Sequence, residues 1–113
     1  MKFLVLAYGS EEDWNKLSKA EQDALLAQDE VLRGSGALVA AVAQQPATVR
    51  AWDGTAHVTR GPFGQTPAPL AGFGVIEAAD LDEAVALVKD TPCARAGGAV
   101  ELRPITAIND PGT

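Results

Sequence analysis

The chain opens Met-Lys-Phe-Leu-Val-Leu-Ala-Tyr, where Phe3, Val5 and Ala7 alternate with Leu4, Leu6 and Tyr8, so a strand here is apolar on both faces. Such a strand needs cover on two sides. Ser18-Lys-Ala-Glu21 has capping-box spacing, hydroxyl and carboxylate three apart, and starts a helix that runs to about Arg33. Ala24, Leu25, Val31 and Leu32 supply its inward stripe, and Gly34 and Gly36 its stop. A second strand at residues 37–43 is again apolar on both faces and closes at Gln44-Gln45-Pro46.

A hairpin follows. Residues 48–52 and 55–59 flank Asp53-Gly54, a dipeptide suited to a two-residue type I′ turn. This turn pairs Arg50 with His57 and Val49 with Val58. Thr48, Arg50, Trp52, Thr55, His57 and Thr59 then share a polar face, opposite Val49, Ala51, Ala56 and Val58. After a Gly/Pro-rich loop, residues 73–78 form a strand, and Asp80 with Glu83 caps a second helix. Its apolar positions Leu81, Ala84, Val85 and Val88 fall at i, i+3, i+4 and i+7, and Pro92 ends it. In the closing strand, 99–105, Glu101 and Arg103 face one way, toward Glu77, and Val100 and Leu102 the other.

The order β-α-β, hairpin, β-α-β defines an α+β fold with a ferredoxin-like protomer. Two helices cover one face of its sheet. The other face, apolar in the first two strands, predicts a homodimer packed sheet against sheet.

With 113 residues the chain fits one domain, taken as 1–106, followed by a flexible tail at 107–113. A hydrophobic share of 47% against 21% charged residues places it among folded chains. The formal net charge of -6, with lysines and arginines scattered singly, excludes nucleic acid and anionic membrane as partners. The first apolar run stops at Tyr8 and meets Glu11, Glu12 and Asp13, which fits a strand rather than a leader. Cys93 is the one cysteine, so no internal disulfide forms and a reducing cytoplasm is the expected compartment.

Chemistry is sparse. No metal site is expected from one histidine and one distant cysteine. No cofactor is expected either, since Gly61 and Gly64 lack the lysine and hydroxyl residue of a phosphate loop. His57 is the candidate acid or base; beside Arg50 it is either a tuned base or a solvated strand pair. Tyr8 and Trp14, at the end of the first strand and the start of its loop, suit the aromatic wall of a ligand cleft, or packing. Phe63 projects from a Gly-Pro turn toward ligand or dimer partner, and Arg50 and Arg103 complete the candidate ligand-binding set.

Taken together, Leu6-Ala-Tyr8, Trp14, Pro46-Ala-Thr48, Asp53-Gly54, Gly61-Pro-Phe63, Gly72-Phe73, Asp80-Leu-Asp-Glu-Ala84 and Val100-Glu-Leu-Arg-Pro-Ile105 resemble the YCII-related family, in its DGPF branch. The resemblance implies a dimeric α/β barrel of ferredoxin-like protomers with no assigned reaction; the expected function is binding of a small organic ligand in a cleft between sheet and loops. The alternative is a regulatory module, without catalysis, working with an extracytoplasmic-function sigma factor, since the resemblance implies that many such proteins are encoded beside one. A related branch contains dehalogenases and dehydrochlorinases that use a first-helix histidine with a nearby aspartate. This chain departs from the pattern: Arg60 stands where the name motif has aspartate, Gly64 to Pro69 replace an acid-and-lysine segment, and the first helix has no histidine.

Overall fold

The computed structural model describes residues 1–109. Its elements are β1 (Lys2–Tyr8), α1 (Glu11–Asn15), α2 (Lys19–Gly34), β2 (Leu38–Ala41), β3 (Ala47–Arg50), β4 (His57–Arg60), β5 (Leu70–Glu77), α3 (Leu81–Val88), α4 (Pro92–Arg95) and β6 (Ala99–Pro104). Four strands form an antiparallel sheet in the order β2-β5-β1-β6, while β3 and β4 form a separate two-stranded sheet. The expected α+β, ferredoxin-like order is therefore present, with the hairpin inserted between the second and third strands of the main sheet. Of the tail expected at 107–113, residues 110–113 lie outside the described residues.

The core sits on one side of the main sheet. Alternation along β1 turns Phe3 and Val5 inward, where they meet Ile76, Ala78, Leu32 of α2, and Ala84 and Val88 of α3. Phe3 is only 1% exposed, and burying such a ring contributes roughly 1.5–3 kcal/mol. Val39, Val100 and Leu102 pack around this cluster. On the opposite face, register sets Leu4 beside Val75 and Arg103, Leu6 beside Phe73 and Glu101, and Leu38 beside Val75. The helices that enter the core lie on the other side, so this second apolar face stays half open.

Local signals in the sequence act as written at both main helices. Ser18 accepts from the Glu21 amide at 3.1 Å, and Glu21 accepts from the Ser18 amide at 2.9 Å, closing the capping box of α2. Asp80 caps α3 by accepting from the Glu83 amide at 2.9 Å. The inward stripes are narrower than expected. On α2, Val31 and Ala24 face solvent, and the half-buried or buried line is Gln22, Leu25, Asp29 and Leu32. On α3, Leu81 and Val85 are exposed, leaving Ala84 and Val88 to fill the core. Pro92 does not end α3, which stops at Val88; it opens the short α4 at a position that tolerates its missing amide.

The hairpin keeps the expected register, Arg50 with His57 and Val49 with Val58, but not the expected turn. A type I′ turn needs positive φ at both central residues, and among the described residues only glycines have it, Gly54 at +84°. Asp53 instead stays in ordinary backbone and folds its carboxylate back. It accepts from the Thr55 amide at 3.0 Å, while the Gly54 amide donates to the Ala51 carbonyl at 3.0 Å. At the root, the Gly61 amide donates to the Pro46 carbonyl at 2.8 Å and the Thr48 hydroxyl to the Gly61 carbonyl at 2.7 Å.

Candidate functional site

A cleft opens where α2 and α4 diverge from the end of the main sheet, in two adjoining pockets of about 160 and 400 Å³. Asp29, Ala41, Ala71, Pro92 and Cys93 belong to both. Its floor is bare because small residues line it: Ala7, Ala40, Ala41, Ala71, Gly72 and Gly74. The glycines are needed there, since a Cβ on Gly72 would lie 2.5 Å from the Ala40 carbonyl oxygen and one on Gly74 2.6 Å from that of Leu38. β2 can approach β5 this closely at the Ala40 and Leu38 carbonyls only because the β5 positions they meet are glycines.

Trp14 forms the outer wall with Leu26 and Ala96. It is held by α1, whose first turn is capped by Ser10 accepting from the Asp13 amide at 3.1 Å, and its carbonyl accepts from Gln22 Nε2 at 3.0 Å. Asp29 enters from the inward line of α2. Burial pushes its carboxyl above its ordinary pKa, against the pull of the Arg33 guanidinium and with a smaller push from Glu30. Cys93 on α4 is raised by burial and then by the Asp29 charge, so its thiol is not activated. The arrangement offers a largely apolar slot with Trp14 as its outer wall, in which Asp29 is a half-buried carboxyl whose charged form is disfavoured, with Glu11 and Arg33 also on the lining.

A second cluster sits on the hairpin, bounding an open hollow of about 310 Å³. His57 Nε2 donates to Asp53, 3.0 Å from Oδ2 and 3.2 Å from Oδ1, and this bond with that of the Thr55 amide lowers the Asp53 pKa. The Arg50 guanidinium lies 5.6 Å from the Trp52 ring centroid and 5.7 Å from that of Phe63, at cation–π range. Trp52 and Phe63 are nonetheless 85% and 75% exposed.

The expected ligand residues thus separate into three places. Trp14 lines the cleft. Arg50, Phe63 and the candidate base His57 gather on the hairpin. Tyr8 and Arg103 belong to the open face of the main sheet, where Arg103 pairs with Glu101; Glu77 pairs instead with the Met1 amino group at 3.5 Å and does not join them. Asp29 is not among the residues expected from sequence, although a carboxylate four residues after Leu25 and three before Leu32 is a polar residue on an inward helix line. The Asp53-Gly54 spacing gives Asp53 a role in the turn alone, yet it is the partner of His57. Among the described residues no three histidine, cysteine or acidic side chains group as metal ligands, and no helix is long and apolar enough to cross a membrane.

Residues 1–109 match the family model of the YCII-related domain. The chain belongs to the YCII-related family. Among solved structures, this YCII-related chain is similar to 5-chloro-2-hydroxyhydroquinone dehydrochlorinase from Burkholderia phenoliruptrix AC1100, in complex with 2,5-dihydroxybenzoquinone. The two share 20% identity over 93% of each chain, with a TM-score of 0.48. No curated protein matches the chain.

Proposed function

We propose that this YCII-related protein, of the DGPF branch, is a cytoplasmic homodimer that binds a small organic molecule in the cleft beside α2. The carrying observation is the Asp29 carboxyl, half-buried in an apolar slot next to Cys93 and behind Trp14. Ligand sites of this kind combine an apolar wall with few polar groups, and their pKa values are shifted by burial. A flat, largely apolar molecule with one hydroxyl or carbonyl suits it: the ring lies against Trp14 and the polar atom meets Asp29. The dimer forms through the open sheet face of Leu4, Leu6, Phe73 and Val75, where Tyr8 and Arg103 also stand.

Asp29→Asn and Trp14→Ala, titrated with simple phenols and followed by NMR, test the reading. Each substitution is expected to weaken binding at least tenfold while the fold is kept. Phenols that bind wild type and both variants equally would contradict it. The alternative, a regulatory module for an extracytoplasmic-function sigma factor, draws on the exposed hairpin rather than on the cleft.

A further inference from the structure

The hairpin, residues 46–63, is built as though half of its environment were missing. All four residues of β4 and three of the four in β3 are exposed. Val49 and Val58, directly opposed across the ladder, are 62% and 64% exposed, so the apolar side of the hairpin faces water. A lone two-stranded hairpin is marginally stable at best. Its alternating pattern specifies a buried face that this protomer does not supply.

The size of the missing contact can be read from the surface. The protomer exposes 7900 Å², whereas a compact monomer of its 11.7 kDa mass exposes about 5,900 Å². The excess, about 2,000 Å², is on the scale of one subunit's share of an obligate interface. Its radius of gyration, 15.9 Å, likewise exceeds the about 13 Å of a compact chain of this length. Charge points the same way. The hairpin carries Arg50 and Arg60 against the single carboxylate Asp53, on a chain of net charge -6, so the body of another copy attracts it.

We propose that the hairpin is an exchange arm: the Val49–Val58 face of each protomer packs on the body of a second copy of this chain, and each arm is ordered by the other subunit. The inference rests on the dimer reading above and adds a second contact to the sheet face.

Light scattering and amide hydrogen exchange on the full chain test it together, with wild type, Val49→Thr/Val58→Thr, which keeps β-branched residues, and Val49→Glu/Val58→Glu. The arm lies outside the core, so both variants are expected to keep the helical circular dichroism of the wild type. Expected results are a wild-type dimer, protected amides at residues 47–50 and 57–60 that lose protection on dilution, and dimer dissociation constants raised at least tenfold in both variants. A wild-type monomer at micromolar concentration overturns the dimer reading and the arm with it. A wild-type dimer that both variants leave unchanged overturns the arm alone. So does a dimer whose arm amides exchange freely, or gain protection only when a different protein is added.

Discussion

The body and the arm each carry an aspartate moved from its ordinary pKa, and the two are moved in opposite directions. Asp29 sits against the body's apolar interior and is raised by burial, whereas Asp53 sits in water and is lowered by the hydrogen bond from His57. In the body, an enclosing helix pair and a small-residue floor create a place where a charge is costly and a guest is welcome. The arm arranges more chemistry, an arginine between two aromatic rings beside a histidine and its carboxylate, with almost no enclosure. Chemical variety without exclusion of water is a weaker site than a half-buried carboxyl in a largely apolar slot.

That contrast is sharpest in stability. Phe3→Ala removes a fully buried ring from the body and is expected to cost about 3–5 kcal/mol in urea denaturation. Phe63→Ala, at 75% exposure on the arm, should leave body stability within about 0.5 kcal/mol. Its effect should appear instead as weaker self-association, by on the order of 1–3 kcal/mol. Equal losses of denaturation stability in the two variants would erase the distinction.

The cleft floor comes next. Gly74→Ala places a methyl group 2.6 Å from a backbone oxygen that cannot rotate away, so a cost of about 1–3 kcal/mol is expected with β2 shifted from β5. Thermal denaturation together with phenol titration checks this, since binding should fall as well. Ser18→Ala, which opens the capping box of α2 far from the floor, is expected to cost about 1 kcal/mol without changing affinity.

The smallest effects lie in the titrations. Because the folded pKa of Asp29 is raised, the carboxyl stabilises the fold most when protonated, and that contribution fades as pH rises from the ordinary aspartate range through the folded value. Asp29→Asn should therefore match wild type in acid and melt slightly higher at neutral pH. Asp53 has the opposite sign: its depressed pKa favours the fold above the ordinary aspartate range, and the benefit is lost as pH falls through the folded value. Carboxyl NMR should show His57→Ala returning Asp53 toward its ordinary value and leaving Asp29 alone.

Much of this was legible in the chain because it depends on short-range rules. The capping box at Ser18 and Glu21, the pairing of Val49 with Val58, and the succession of main strands and helices along the chain all follow from hydrogen-bonding geometry and alternation. What escaped depends on tertiary context. Alternation assigns Val49 and Val58 to a buried face but cannot say that the burying surface is absent from the same protomer. The Asp53-Gly54 pair permits a type I′ turn, yet the Asp53 side chain found Thr55 and His57 and set another turn. Val31 fits the helical period and still points outward, because the line selected by packing against the sheet runs through Asp29. The cleft escapes a sequence reading because its room depends on what is missing at Gly72 and Gly74, while its walls come from residues far apart in the chain, Trp14, Asp29 and Cys93.

The most direct measurement is an amide chemical-shift map of the full chain titrated with a simple phenol. The account predicts shifts concentrated at Trp14, Asp29, Ala41, Ala71 and Cys93, abolished by Asp29→Asn, with Arg50, His57 and Phe63 unmoved. Shifts centred on Arg50, His57 and Phe63, with the cleft silent, would contradict it and move the binding site to the arm.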